Sequence, residues 1–172
     1  MSSLLDIDLD YFAIHSDPIN KFDQYLKWGN KSIKFLVEEH HHNLRNWNKF
    51  IKRGFISIPS HILHIDEHHD MMDEKKTPNI ANFIFHAMTK WPKCRVHWVV
   101  DQPIDSPEMW LSEDAWSVVS KRFSIGHDIP KKWPKPDMVS VCTSPEFIGE
   151  RLRIKLLAHL EVFNENMLRI KP

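Results

Sequence analysis

The segment Leu4-Leu5-Asp6-Ile7-Asp8-Leu9-Asp10-Tyr11-Phe12 constrains the fold more than any other. It alternates apolar and acidic side chains. In an extended backbone successive side chains point to opposite faces, so Leu5, Ile7 and Leu9 share one face and Asp6, Asp8 and Asp10 the other. An apolar face of this kind, followed by Tyr11 and Phe12, calls for burial, and burial carries the carboxylates inward with it. Like charges at such spacing repel strongly at low dielectric, and a bound cation relieves the repulsion. The competing structural reading is an edge strand with a solvated acidic face.

A second segment repeats the theme with mixed donors. In His64-Ile65-Asp66-Glu67-His68-His69-Asp70, the residues His64, Asp66, His68 and Asp70 fall at every second position. The β-prone residues before them (Phe55 to Ile58, then Ile62 and Leu63) predict a buried strand running out into a polar loop. Carboxylate plus imidazole suits Mn²⁺, Zn²⁺ or Fe²⁺ better than Ca²⁺ or Mg²⁺, which prefer oxygen shells. Two further apolar runs end in the same way. Residues 31–37 lead into Glu38-Glu39-His40-His41-His42, and residues 138–142 lead into Thr143-Ser144-Pro145-Glu146. A fifth strand is expected at 95–100.

Helical spacing fills the intervals. Helices are predicted over 19–28, stopping at Gly29; from an Asn43 cap to Gly54; over 79–91; from a Ser112 cap through Phe123; and over 147–163. Residues 125–136 read as irregular and the tail as polar. Strands alternating with helices predict an α/β chain: one domain over 1–172, three layers, a mostly parallel sheet with helices on both faces. Such sheets bind ligands at the carboxyl ends of their strands. Every polar cluster named above lies at the C-terminal end of a predicted strand, which points to one shared active site.

Composition narrows the function classes. Formal net charge is zero, so electrostatic capture of nucleic acid or anionic lipid is not expected. No apolar run approaches the roughly 18 residues of a membrane span, and residues 1–10 lack the features of a signal peptide. Cys94 and Cys142 sit in apolar strand-like runs and read as reduced core thiols, which fits a cytoplasmic address.

Together these segments resemble the arginase (ureohydrolase) superfamily. Asp66-Glu67-His68-His69-Asp70 resembles its Asp-x-His-x-Asp motif, Glu39-His40 its first metal histidine element, and Asp6-Ile7-Asp8-Leu9-Asp10 its Ser-x-Asp-x-Asp strand. The closer similarity is to the peptide arginase group, through residues 6–12, 38–40, 64–70 and 143–145. The resemblance implies an arginase/deacetylase-like fold and two Mn²⁺ ions, with Zn²⁺ or Fe²⁺ as alternatives. Asp66 and Asp8 would bridge them, His40 and Asp70 would complete one, and His68 and Asp10 the other. A one-pair shift, with Asp6 and Asp8 as ligands, stays open. The implied reaction is hydrolysis of a guanidino group, in a peptide arginine or a small guanidino compound, to urea and an amine. Two features depart from the family: the acidic strand comes first in the chain, and the chain is short. The resemblance offers His86 as the proton-shuttle residue and Glu146 as the glutamate that holds the guanidinium.

Blander readings cover other residues. His41, His42, His61 and His69 lack the phase or context of ligands, Glu67 points away from the metal face, and His64 reads as a buried, hydrogen-bonded histidine. The segment 64–68 also satisfies the His-x-x-Glu-His signature of inverted zinc proteases, which requires a helix. Two other functions compete with the first: a one-zinc deacetylase-type amidohydrolase, and a metal-stabilised binding module without catalysis.

Overall fold

The computed structural model describes residues 1–29, 33–162 and 167–169. Its strands are β1 (Ser2–Asp8), β2 (Ile33–Val37), β3 (Pro59–Ile65), β4 (Arg95–Val99), β5 (Phe123–Gly126), β6 (Met138–Cys142) and β7 (Met167–Arg169). They form one sheet in the order β5-β4-β3-β1-β6-β2-β7. Every pairing is parallel. The helices are α1 (Pro18–Trp28), α2 (His42–Lys52), α3 (Phe83–Lys90), α4 (Glu113–Val119) and α5 (Glu150–Val162). None is long and apolar enough to cross a membrane.

Alternation along the strands sorts the core into two layers. Leu4, Phe35, Ile62, Val96 and Met138 face one way and pack against Leu44 and Trp47 of α2, Ile84 and Met88 of α3, and Val119 of α4. Leu5, Ile7, Leu63, Val139 and Val141 face the other way, against Phe22 and Leu26 of α1 and Leu156 and Leu160 of α5. This is the expected three-layer α/β arrangement. Connections running toward β5 cross the first face and those running toward β7 cross the second, as a uniform crossover hand requires.

β1 sits between β3 and β6 and is buried along its whole length. The solvated edge-strand reading of its acidic face is therefore excluded. The chain leaves β1 toward α1 on one face and leaves β3 toward α3 on the other, so a crevice opens between their carboxyl ends.

Several boundaries differ from expectation. The opening strand stops at Asp8, and Asp10 starts a short 3-10 helix, Asp10–Ile14. Asn43 does not cap α2; the helix begins at His42, and the Asn43 side chain is spent elsewhere. Gly54 does close it, with φ 76, by a paired motif in which Gly54 N–H donates to Ile51 O and Phe55 N–H to Phe50 O. α3 begins at Phe83, because Asn82 instead ties the preceding loop through Asp73 Oδ1 (2.7 Å) and Thr77 O (3.2 Å). Ser112 caps α4 as predicted, its Oγ accepting from Ala115 N–H. Phe123 belongs to a strand rather than to that helix, and a three-residue strand occupies the tail.

Candidate metal centre

The carboxyl ends of β1, β2, β3 and β6 meet at one point, and the ligand-type residues meet with them. His40 follows β2. Its Nδ1 lies 3.1 Å from Asp8 Oδ2, 2.9 Å from Asp66 Oδ2 and 3.1 Å from Asp70 Oδ2. In an octahedral shell with bonds of about 2.1 Å, neighbouring donors stand about 3 Å apart. The separations match that edge length. A second group adjoins the first through Asp66. His68 Nδ1 is 3.5 Å from Asp66 Oδ1 and 3.6 Å from Asp10 Oδ2. Asp8, Asp10, His40, Asp66, His68 and Asp70 are thus all brought together, with Asp66 shared between the two groups.

Beneath them lies a closed polar layer centred on Asp6, which is fully buried. Its Oδ2 accepts from His40 Nε2 and from His64 Nδ1, each at 2.9 Å. Its Oδ1 accepts from Asn43 Nδ2 and Ser140 Oγ, each at 2.7 Å. With all four acceptor positions used, Asp6 has none left for an ion. Asp6 also orients His40, engaging Nε2 so that Nδ1 faces the carboxylates. The Nδ1–H of His64 donates to Asp6, and its Nε2–H donates to His68 O at 3.0 Å. Both ring nitrogens are thus engaged, which makes His64 a support beneath the site, although its donor atom lies close to the first group.

Backbone geometry aims two further side chains. Asp70 has φ 50 and Ser144 has φ 36, the left-handed region that non-glycine residues seldom occupy. The Asp70 turn follows β3 and returns its carboxylate to His40. Ser144 follows β6, and its Oγ donates to Asp8 Oδ2 at 2.5 Å. Asp8 Oδ1 meanwhile accepts from Asp10 N–H, and Asp66 Oδ1 from His68 N–H at 2.8 Å.

The clustered charges shift one another's titration. Burial pushes the Asp10 carboxyl up to about 9, with Asp66 and Asp8 adding to the rise. Burial likewise raises Asp70 to about 7, with Asp66 beside it. Burial would also raise Asp6 and Asp66, but the adjacent histidines outweigh it and hold both well below the usual carboxylate range. For His40 burial favours the neutral ring, and Asp6 and Asp8 overturn that and raise it. The Asp66 hydrogen bond lifts His68 to about 9. Protons therefore take the place of positive charge that the carboxylates demand. Asp10 Oδ1 and Asp70 Oδ2 are buried without any hydrogen-bond partner. Orphaned carboxylate oxygens beside a convergent imidazole fit a divalent cation.

A cleft of about 620 Å³ opens over the cluster. Glu38, Glu39 and Glu146 stand exposed on its lining, with Met72, Ile80 and Phe147 as apolar wall. The His68 side chain is 43% exposed, at the mouth. Glu146 is thus at the cleft, as expected. His86 is not: its Nε2 lies 2.9 Å from Lys75 O, and it lines a separate cavity between α2 and α3, which corrects its assignment as proton shuttle. His69 turns away, with Nε2 3.2 Å from Asp105. Residues 64–68 leave a strand for a loop with no helix between, so the zinc-protease signature is not realised. Asn43 and Ser140 were not legible as site residues, since neutral polar side chains carry no ligand signal in a sequence.

No protein-family model matches the chain, and no curated protein or solved structure matches it either.

Proposed function

We propose that the protein is a metal-dependent hydrolase of guanidino groups, acting on arginine side chains in peptides and releasing urea. The observation that carries the proposal is His40 Nδ1 within 2.9–3.1 Å of oxygens from Asp8, Asp66 and Asp70, beside the Asp10-Asp66-His68 group. The arginase and peptide arginase resemblance supplies the chemical class, and the cleft's acidic lining supports it.

Two Mn²⁺ ions are the proposed cofactors: His40, Asp70, Asp66 and Asp8 would hold one, and His68, Asp10 and Asp66 the other. Such ions supply Lewis-acid stabilisation of developing negative charge and acidify water near neutral pH. The chain's own residues do the rest. Glu38, Glu39 and Glu146 attract and orient the cationic guanidinium, and Met72, Ile80 and Phe147 shield the site from bulk water. Asp6 keeps His40 oriented, and Ser144 holds Asp8 against it. Cytoplasmic residence belongs to the same proposal, supported by the free, buried thiols of Cys94 and Cys142.

One observation favours a single-ion alternative, the zinc amidohydrolase. The second group is looser, at 3.5–3.6 Å, than the first. Metal analysis separates the two, since two ions per chain support the guanidino reaction and one supports the alternative. The direct experiment is a urea assay on an arginine-containing peptide with Mn²⁺. Urea is expected from the native protein and at least about 10³-fold less from Asp66→Ala, the scale for losing a group essential to the transition state. Metal-loaded protein that yields no urea from peptide or free guanidino compounds refutes the proposal.

A further inference from the structure

We infer that the cavity between α2 and α3 binds a carboxylate of the substrate, so that a peptide arginine is selected for an acidic group near it. The inference takes the arginine from the hydrolase reading, and the acid from a separate set of observations.

The cavity, of about 650 Å³, is lined by His41, His42 and Arg45 from the start of α2, and by His86 and Lys90 from α3. No aspartate or glutamate lines it, in a chain with 23 acidic and 23 basic residues. Arg45 and Lys90 are exposed, and neither forms an ion pair or hydrogen bond with any described residue. The cavity also meets the N-terminal end of the 11-residue α2, where no side chain caps the helix. Permanent cations, a helix N-terminus and a concave wall together favour an anion. They disfavour a metal ion, although Glu39, His41 and His42 place donor atoms close together on the rim.

Its neighbour points to which anion. Residues 38–42 form a ridge whose two sides are different surfaces. Glu38, Glu39 and His40 line the metal cleft, while His41 and His42 line the basic cavity. Residues 78–81 divide in the same way, with Ile80 and Ala81 toward the cleft and Pro78 toward the cavity. An acidic depression and a basic one thus share two walls. The complementary ligand carries a cation and an anion a few residues apart. For a peptide arginine in the cleft, that anion is the carboxylate of a nearby aspartate or glutamate, or of the chain terminus. Arg45 suits it, since a guanidinium fork pairs with a carboxylate in two parallel hydrogen bonds.

Peptide binding to the Mn²⁺-loaded full chain, measured by isothermal titration with urea release in parallel, tests this. The peptides carry one arginine followed, at successive spacings, by glutamate or by glutamine. A further pair is neutral except for a free or amidated C-terminus. At the best spacing the acidic peptide is expected to bind about tenfold tighter than its neutral partner. In Arg45→Gln combined with Lys90→Gln, the acidic and neutral peptides are expected to bind alike. Whether glutamate or the free C-terminus gives the gain identifies the source of the carboxylate. Equal binding at every spacing, or a preference that survives the double substitution, overturns the inference. Preference without urea refutes hydrolysis and leaves the cavity standing; urea without preference does the reverse.

Discussion

Replacing Asp6 by asparagine separates support of a metal site from ligation of the metal. The aspartate accepts from His40 Nε2 and His64 Nδ1 on one oxygen and from Asn43 Nδ2 and Ser140 Oγ on the other. An amide has one accepting oxygen, so one pair of donors must face an NH₂ group. The neutral pair adapts more readily: the Ser140 hydroxyl rotates, and Asn43 can turn its Oδ1, which is buried without a partner, toward the new donor. The main loss is then the negative charge opposite two histidines. Charge-assisted hydrogen bonds exceed neutral ones by about 1–1.5 kcal/mol each, so the two to the histidines predict a destabilisation of about 2–3 kcal/mol. For a chain of this size that lowers the melting temperature by about 4–12 °C. His40 then keeps only a neutral acceptor for Nε2 in place of the carboxylate that orients it and raises its basicity, which predicts Mn²⁺ affinity about 10–100-fold weaker. Thermal melts in chelator and isothermal titration with Mn²⁺ measure the two effects. Ser140→Ala is the control: it removes one hydrogen bond from a neutral donor to the carboxylate and is expected to cost about 1.5–3 kcal/mol with a smaller change in affinity. Unchanged Mn²⁺ affinity in Asp6→Asn, with a lowered melt, refutes the orienting role, and an unchanged melt refutes the network energetics.

Two other substitutions probe different layers. Arg122 donates to the carbonyls of Trp91, Cys94, Met88 and Val118, tying the end of α3 to the end of α4. Arg122→Ala strands those acceptors and is expected to cost about 2–4 kcal/mol in chemical denaturation with no change in Mn²⁺ affinity. Asp10→Asn removes a buried carboxylate that has an unbonded oxygen and faces Asp66 and Asp8. It is expected to stabilise the metal-free protein by about 1–2 kcal/mol and to reduce the stabilisation gained from Mn²⁺; a lower melting temperature in chelator contradicts it.

Much of this was legible because parallel sheets impose simple rules. The alternation of Leu5 and Ile7 with Asp6 and Asp8 favoured a buried strand over a solvated edge, and β1 proved to be the sheet's central one. Ligand-type residues after separate apolar runs were bound to converge, since all the strands point the same way. Period-two reasoning held only as far as the strands did. Asp10 and Asp70 reach the cluster from a 3-10 helix and a left-handed turn, so their arrival owes nothing to alternation. His86 was misplaced because the resemblance offered it only as a histidine on the helix after the loop, and a helical position does not reveal which cavity it lines. Asn43 looked like a cap because a short polar side chain before an apolar helical pattern usually is one; its amide is spent on Asp6 instead. β5 was missed because it is only four residues long and follows a helix without a break beyond one 3-10 turn.

The two layers of the centre solve different problems. In the lower one, Asp6 has every acceptor position filled and His64 donates from both nitrogens. The carboxylate of that layer is fully bonded without any ion, although Asn43 Oδ1 stays unpartnered, and the network rigidifies the base of the site. The upper layer is deliberately incomplete: Asp10 and Asp70 keep orphaned oxygens, and the Asp10 carboxyl is pushed up to about 9 by burial and its acidic neighbours. A fold selected only for stability has no use for such residues, because burying unpaired carboxylates costs free energy that an apolar replacement avoids. Their retention above a satisfied layer, facing a cleft lined with glutamates, is what a cation-dependent site requires. It also predicts opposite signatures for the layers: damage below weakens fold and metal together, whereas neutralising a carboxylate above exchanges metal affinity for stability.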